Sequence, residues 1–391
     1  MNLNRDLKLI AAALFLWASG EGLFIFILPN YLQTLGADAV QIGLLYSIAS
    51  VAMAVSMIPS GLIVDRFGPR VILVSGWITG ILTGTIMALS PNLMWFSIGW
   101  TLYSFTALVT PAVSTYVTRA RGQMTPERAL TAVFSMYSAG MILSPAIGGM
   151  IGERFGLRVT FAIAVIMFTL STILIFLIKY QPPHPIEDRI SPIELVSNNR
   201  YIKFLLLVFG ITVVSQFGAA LSPKFLADVK MINIGQIGWF GSINALGGFL
   251  AGQFLGRRPP RRGVMVALIL IFIYGVVLLN SSWVGWFALA YFLRGGYFVM
   301  RSLISALVTR VVLPSQYGTA MAVSETVFTG AVAIAPAIAG WMYQDISPAS
   351  PFQLMIVLIP IAIFMVWRFA PKYEGEGRAS VLLTKVEEEV L

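Results

Sequence analysis

Four ionisable residues lie within long apolar runs of the sequence: Glu21, Arg294, Arg301 and Glu325. Placing such a side chain in a membrane interior costs on the order of 2.5–3.5 kcal/mol on insertion scales, so each is expected to have a function or a partner. A helix that starts near Lys8 places Glu21 roughly 20 Å further along, close to the midplane. A nonpolar environment favours the neutral carboxyl group, so Glu21 could bind and release a proton. Glu21 is therefore the first proton-coupling candidate, and Glu325 is the second.

The two arginines have different predicted roles. Arg294 lies near the middle of its apolar run, where a guanidinium needs an acidic partner, a set of carbonyl groups or an anionic ligand. Arg301 and Glu325 are expected at similar depth on consecutive antiparallel helices, which favours a structural ion pair. A role of that pair in proton coupling is the alternative.

The sequence has few residues suited to metal binding, redox chemistry or nucleophilic catalysis. The chain has no cysteine, and its one histidine, His184, lies among prolines. Disulfides, thiolate nucleophiles and Cys-ligated metals are excluded, and we expect no metal, no cofactor and no enzymatic activity. The sequence contains neither an H-E-x-x-H motif nor a nucleotide-binding loop, so a membrane-embedded enzyme or lipid-binding receptor is only a remote alternative.

The elements that position these residues are membrane spans. Of the 391 residues, 58% are hydrophobic and 11% are charged, and the mean hydropathy is +0.84; soluble proteins carry about 25% charged residues. The sequence thus predicts an all-α polytopic membrane protein. Twelve spans are predicted near residues 8–34, 40–64, 70–90, 93–118, 128–152, 157–179, 203–223, 235–256, 263–280, 283–309, 317–343 and 351–371.

The positions of lysine and arginine predict the orientation. Most of them fall on one side of the spans, in clusters at 66–70, 119–128 and 257–262. By the positive-inside rule this side is cytoplasmic, so both termini are expected in the cytoplasm and the chain in the cell membrane. The net charge of +9 follows from this topology, and we expect no nucleic-acid partner. The predicted domains are a six-helix bundle at 1–179, a cytoplasmic linker at 180–200, a second bundle at 201–371 and a cytoplasmic tail at 372–391.

The chain contains an internal repeat. Residues 116–149 align without gaps with 307–340, and the alignment places Val117-Thr118-Arg119 on Val308-Thr309-Arg310. Gln41-Ile42-Gly43 likewise matches Gln236-Ile237-Gly238. Because each unit contains six spans, both halves should cross the membrane in the same direction, related by an axis along the membrane normal.

The loop between spans 2 and 3 carries a recognisable motif. Residues 61–70 read GLIVDRFGPR and resemble the signature loop of the major facilitator superfamily, G-x-x-x-D-R-x-G-R-R/K, with Pro69 replacing one basic residue. The resemblance implies a fold of twelve helices in two pseudo-symmetric six-helix bundles, and transport by alternating access. It also implies a conformational-switch loop made of Gly61, Asp65, Arg66, Gly68 and Arg70. Spans 1 and 10 both face the cavity in this family, so the resemblance further implies that Arg294 could either meet Glu21 across that cavity or bind an anionic group of a substrate.

Span 5 carries a second motif. Its residues Gly140, Ser144, Pro145, Gly148 and Gly149 resemble the antiporter motif of that family, G-x-x-x-G-P-x-x-G-G, with Ser144 in place of a glycine. The resemblance implies export in exchange for protons and a hinge in span 5. Generic close packing of helices through small residues is the alternative.

The expected function is proton-coupled export of amphipathic or drug-like organic molecules. Proton-coupled uptake of an organic anion or another small metabolite is the alternative. The expected partners are a small-molecule substrate, protons and the lipid bilayer, and the chain is expected to be a monomer. The candidate residues of the substrate cavity are Trp17, Glu21, Tyr46, Tyr103, Tyr137, Gln216, Asn244, Arg294 and Phe328.

Overall fold

The computed structural model describes residues 4–182, 198–308, 310–312 and 317–371, and its regular elements are helices. The helices form twelve spans in two halves of six, which confirms the predicted fold class. Nine spans are long and apolar enough to cross a membrane by the composition of their described residues. The other three are spans 7, 8 and 10: spans 7 and 10 are each divided into two shorter helices, and span 8 is rich in glycine.

Seven spans are single helices, and five are interrupted. The single helices are span 2 (Ala39–Phe67), span 3 (Pro69–Leu89), span 5 (Pro126–Phe155), span 6 (Leu157–Phe176), span 8 (Ile234–Leu255), span 9 (Pro260–Asn280) and span 12 (Ser350–Phe369). The interrupted spans are span 1 (Arg5–Ile25 and Leu28–Thr34), span 4 (Leu93–Ser104, the 3₁₀ turn Phe105–Leu108 and Val109–Ala120), span 7 (Asn199–Gln216 and Ser222–Asp228), span 10 (Val284–Arg294 and Gly296–Val308) and span 11 (Tyr317–Val332 and Ile334–Asp345).

Local capping explains where the repeated spans 2 and 8 begin. Asp38 accepts a hydrogen bond from the Gln41 backbone N–H at 2.7 Å, and the Gln41 side chain accepts one from the Asp38 N–H at 3.1 Å. This reciprocal arrangement is a capping box. At the equivalent start of span 8, the Asn233 side chain accepts from the Gln236 N–H at 2.8 Å. The repeated Gln-Ile-Gly sequence therefore marks the same structural position in both halves.

Two ends of the bundle can be distinguished. The basic end is the one at which residues 66–70, 119–121 and 257–262 lie, and the far end is the opposite one, where span 1 ends and span 2 begins. Among the described residues, every hydrogen bond between the halves lies toward the far end. These bonds join residues of spans 1, 2 and 5 to residues of spans 7, 8 and 11. The far end is therefore closed.

The closure rests on two seams, one between spans 5 and 8 and the other between spans 2 and 11. Both seams depend on glycine. A Cβ atom added to Gly238 would lie 2.7 Å from the Gly149 Cα, and one added to Gly43 would lie 3.1 Å from the Gly340 Cα and collide with the Pro336 carbonyl. The backbones approach closely only because these side chains are absent.

The same hydrogen bond crosses each seam. The Ala146 N–H donates to the Ser242 hydroxyl at 2.9 Å, and the Ala337 N–H donates to the Ser47 hydroxyl at 3.0 Å. In the sequence repeat, Ala146 aligns with Ala337 and Ser47 with Ser242. The two seams are thus symmetry-related copies, and each donor directly follows a proline.

We predict that Gly43→Val prevents closure of the far end, because its side chain would occupy the space of the Pro336 carbonyl. The chain has no cysteine, so spin labels can be attached through Leu89→Cys and Trp283→Cys, two exposed positions of opposite halves at the far end. The distance between these labels should increase in Gly43→Val.

The control is Gly210→Val, because a Cβ atom there meets no neighbouring atom within 4 Å. It introduces the same side chain into a helix away from the seams and should leave the label distance unchanged. Equal distances in both variants would show that the seam does not determine closure.

Candidate functional site

A cavity of about 310 Å³ lies between the two halves, next to the seams. Met141 of span 5 and Pro336 of span 11 line its boundary with the closed end. Five of the nine predicted cavity residues line it: Glu21, Tyr46, Tyr137, Gln216 and Arg294.

A larger groove of about 720 Å³ lies between spans 2 and 4. Its lining is apolar apart from Gln41, Ser97 and Thr101, and several lining residues, such as Ile48 and Met94, are exposed. Since no ionisable side chain lines it, the smaller cavity is the better candidate for selective binding.

Glu21 faces this cavity from span 1 and is hydrogen-bonded to span 5. The Tyr137 hydroxyl donates to the Glu21 Oε2 at 2.8 Å. The flanking glycines, Gly20 and Gly22, face neighbouring helices and leave no open space beside them. A Cβ atom on Gly20 would lie 3.0 Å from the Phe168 ring, and one on Gly22 would collide with Ser144. These glycines allow spans 5 and 6 to pack closely on span 1.

The span 5 motif uses two faces of one helix, which continues through Pro145. On one face, Gly140 and Gly148 contact the backbone of span 1, and the Ser144 hydroxyl lies 3.3 Å from the Ala18 carbonyl. On the adjacent face, Pro145 and Gly149 contact span 8. The arrangement shows close packing through small residues, and the hinge stays a prediction.

Arg294 faces the cavity from the other half. It ends the first helix of span 10, and Gly295 follows, pressed against the span 8 backbone at Gly247 and Gly248. The guanidinium lies over the Tyr274 ring, 5.9 Å from its centroid. Within the described part of the chain, Arg294 makes no side-chain hydrogen bond and no ion pair. The predicted pairing with Glu21 is therefore absent from this conformation.

Two predicted cavity aromatics belong instead to the core of the first half. Trp17 stacks on Phe168, with centroids 4.5 Å apart, and on Tyr103, with centroids 6.1 Å apart. Trp17 is 7% exposed and Tyr103 is 5% exposed. A Cβ atom on Gly80 would collide with the Trp17 ring, so the absence of a side chain at Gly80 creates the space that this indole fills. The prediction for these two residues is wrong because helical position alone does not distinguish the cavity face from the core face.

Two candidates in the second half are also structural. Asn244 is fully buried and donates to the Tyr291 carbonyl at 2.9 Å, so it joins span 8 to span 10. Phe328 is 6% exposed and stacks on Tyr297, with centroids 6.0 Å apart. Neither lines the cavity, so their assignment to it is wrong.

The Arg301–Glu325 ion pair is present, with 2.5 Å between the Arg301 Nη2 and the Glu325 Oε2. The two side chains are 44% and 31% exposed. The pair is thus not enclosed by the protein, and each residue supplies the counter-charge that the other requires within a span.

The loop between spans 2 and 3 makes contacts at the basic end. Gly68 has a φ of +81° and separates the two helices, and Arg66 lies over the Phe67 ring. The Arg70 Nη2 donates to the Phe176 carbonyl at 3.0 Å, at the last turn of span 6. Its repeat counterpart, Arg261, donates to a carbonyl of span 12. Among the remaining predicted loop residues, the side chain of Asp65 and the surroundings of Gly61 lie outside the described part of the structure.

Sequence reasoning missed several cavity residues. The Ser222 and Tyr291 hydroxyls are 2.8 Å apart and line the cavity beside Arg294. Tyr291 and Phe298 lie three residues before and four residues after Arg294 in the sequence, and this helical spacing could have identified both. Ala219 and Ala220 lie in the irregular link within span 7, and nothing in their residue type signals a cavity.

Comparison with known proteins identifies the family. The model of the Major Facilitator Superfamily matches residues 10–217 and again 204–385. A multi-drug resistance efflux pump PmrA homolog of Lactococcus lactis is 25% identical over 293 residues, which cover 70% of this chain and 72% of the relative. Multidrug resistance protein MdtG of Enterobacter lignolyticus is 24% identical over 294 residues, with 71% and 70% covered.

Solved structures share the fold. A mutant of nucleoside transporter NupG superposes with a TM-score of 0.82 at 14% identity, covering 93% of this chain and 100% of that one. Peptide transporter POT in complex with sulfate gives a TM-score of 0.76 at 16% identity, with 93% of each chain covered. At these identities the likeness concerns the fold alone.

We predict that removing the hydroxyl group has a larger effect on stability at Tyr137 than at Tyr103. Tyr137→Phe should lower the free energy of unfolding by about 1.5–3 kcal/mol, because it removes a hydrogen bond to an ionisable group. Tyr103→Phe should change it by less than about 1 kcal/mol, because the stacking contacts involve the ring. Urea or thermal unfolding of the purified variants measures both values, and equal losses would contradict the assignment of Tyr103 to the aromatic core.

Proposed function

This chain belongs to the major facilitator superfamily, and we propose that it exports amphipathic or drug-like organic molecules in exchange for protons. The comparisons point to a multi-pass membrane transporter rather than an enzyme. Export of drug-like molecules is supported by the efflux relatives and by a cavity that combines aromatic, apolar and ionisable side chains.

The proposed transport cycle is alternating access. In the present conformation the seams close the far end, so the cavity is separated from that side. Separation of the seams, with approach of the halves at the basic end, would expose the same cavity to the opposite side. A substrate or proton drives this change only through a difference in its affinity for the two conformations.

The position of Glu21 in the cavity is the observation that supports the proposed proton coupling. Its carboxyl group lines the cavity and is held by the Tyr137 hydroxyl. Within the described residues it has no ion-pair partner, so gain and loss of a proton would not require breaking a salt bridge. A proton and a cationic group of a substrate would compete for this carboxylate, which is the requirement for exchange.

Uptake of an organic anion is the second candidate. It is favoured by Arg294, whose guanidinium faces the same cavity without an acidic partner in the described residues. The direction of transport distinguishes the two candidates. An exporter should lower the cellular content of a dye, whereas an importer should support growth on its substrate.

We further propose that the basic end faces the cytoplasm in the cell membrane and that the chain acts as a monomer. Residues 180–200 and 372–391 would then lie on the cytoplasmic side. The basic residues at 66–70, 119–121 and 257–262 support this orientation.

The orientation predicts the labelling of single cysteines. Trp283 at the far end and Arg258 at the basic end are both exposed in the structure, so a cysteine at either position can react once a reagent reaches it. In intact cells a membrane-impermeant maleimide should modify Trp283→Cys and spare Arg258→Cys, because only the far end would face the outside. After permeabilisation both should react. Labelling of Arg258→Cys in intact cells would reverse the orientation.

We predict that Glu21→Gln abolishes proton-driven export, because the amide cannot bind and release the coupled proton. The measurement is uptake of a fluorescent dye into inside-out vesicles energised by a proton gradient. The matched control is Glu325→Gln, the same change in a carboxylate that pairs with Arg301 and does not line the cavity. Normal uphill transport by Glu21→Gln would assign the coupling to another residue, with Glu325 the next candidate.

A further inference from the structure

We propose that Arg294 forms an anion subsite and that the preferred substrates are zwitterionic aromatic compounds, bound with the anionic group at Arg294 and the cationic group toward Glu21. This inference rests on the proposed export function and specifies its substrate class. Two residues of opposite charge line one cavity of about 310 Å³: Glu21 belongs to the first half and Arg294 to the second.

The Arg294 guanidinium is available to a ligand. Its Cζ atom lies over the Tyr274 ring, 5.9 Å from the centroid, and in the described residues its N–H groups donate to no acceptor. A charged group in this environment needs an acidic partner, a set of carbonyl groups or an anionic ligand. A guanidinium whose N–H groups have no acceptor can present two of them to the two oxygens of a carboxylate.

Hydroxyl groups adjoin this position. The Tyr291 and Ser222 hydroxyls, 2.8 Å apart, line the cavity, and Tyr291 precedes Arg294 by about one helical turn. The Ser222 hydroxyl also donates to the Ala219 carbonyl at 3.1 Å, so the Tyr291 hydroxyl can donate to Ser222 and both hydrogen atoms are bonded within the protein. The second half therefore offers a carboxylate the Arg294 cation in a polar surrounding, whereas the first half offers the Glu21–Tyr137 pair, which suits a cation.

Charge balance selects a ligand with both signs. With Glu21 ionised, the formal charges of the two residues cancel, and a zwitterion provides a counter-charge to each of them. A purely cationic ligand leaves Arg294 without a counter-ion. A purely anionic ligand leaves the Glu21 carboxylate unpaired unless it takes up a proton. A zwitterion thus needs the deprotonated carboxylate, which links its binding to release of the exchanged proton.

The size of the cavity limits the ligand. Ligand pockets commonly measure about 300–1,000 Å³, so this cavity is at the lower limit. Phe26, Tyr46 and Phe298 add aromatic surface to its lining. A compact ligand with a few fused rings and its charged groups on opposite sides fits these properties.

The test compares two dyes that differ at one group. Rhodamine 110 carries a free carboxylate, and rhodamine 123 is its methyl ester, so the pair isolates the anionic group on a constant cationic ring system. Binding to purified protein in lipid nanodiscs is measured by fluorescence polarisation. We expect the wild type to prefer rhodamine 110 by roughly tenfold or more, the usual effect of a hydrogen bond to a charged group.

The variants assign this preference to its residue. Arg294→Gln should lose the preference for the acid while still binding the ester, and Arg294→Lys should keep part of it because the charge remains. Arg368→Gln is the matched control, since Arg368 is an exposed arginine at the end of span 12, and it should bind as the wild type does. If Arg294→Gln does not fold, the wild-type ratio and Arg294→Lys decide the outcome.

Equal affinity of the wild type for both dyes, binding of neither dye, or an unchanged ratio in Arg294→Gln would overturn the anion subsite. Export is scored separately in energised inside-out vesicles. Proton-driven transport of the ester without preference for the acid would refute the subsite and leave the proposed function standing. Absence of proton-driven transport of either dye by the wild type would count against the proposed function itself.

Discussion

The close approach of backbones at the two seams is the constraint on which the other features of this structure depend. Gly149 and Gly238 allow span 5 to contact span 8, and Gly43 and Gly340 allow span 2 to contact span 11. Larger side chains would hold the halves apart, because packed helices in a membrane associate through surface complementarity rather than through a hydrophobic driving force. The cavity exists in its observed form because the seams fix the distance between the halves at one end.

The two halves contribute differently to the cavity that the seams close. The first half is filled by stacked aromatic rings, including Trp17, Tyr103 and Phe168, and this packing supports the segment of span 1 that carries Glu21. Spans 7 and 10 of the second half are interrupted at residues 217–221 and at Gly295, as spans 1 and 4 are in the first half. The second half contributes Ser222, Tyr291 and Arg294 to the cavity surface, and Phe26, at the interruption of span 1, also lines it. Non-helical backbone at membrane depth is tolerated where it lines such a cavity.

The sequence predicted features that depend on long patterns and did not predict those that depend on rotation of a helix. The twelve spans follow from apolar runs, and the alignment of residues 116–149 with 307–340 identified the symmetry that relates the seams. Glu21 and Arg294 were found because a charge in an apolar run is conspicuous. Trp17 and Asn244 were misplaced because an aromatic or amide side chain in a span suits a core as well as a cavity, and only packing against neighbours such as Gly80 and Gly295 separates the two.

Because the duplication gives the molecule two equivalent seams, the contact between the halves is bivalent. If the hydrogen bond from Ala146 to Ser242 breaks, the bond from Ala337 to Ser47 still keeps the two halves together. Ala146 and Ser242 then stay at a high effective concentration relative to each other. Rebinding is then intramolecular and favoured over further separation. Opening of the far end therefore requires the release of both seams, and the loss of one alone leaves the passage closed.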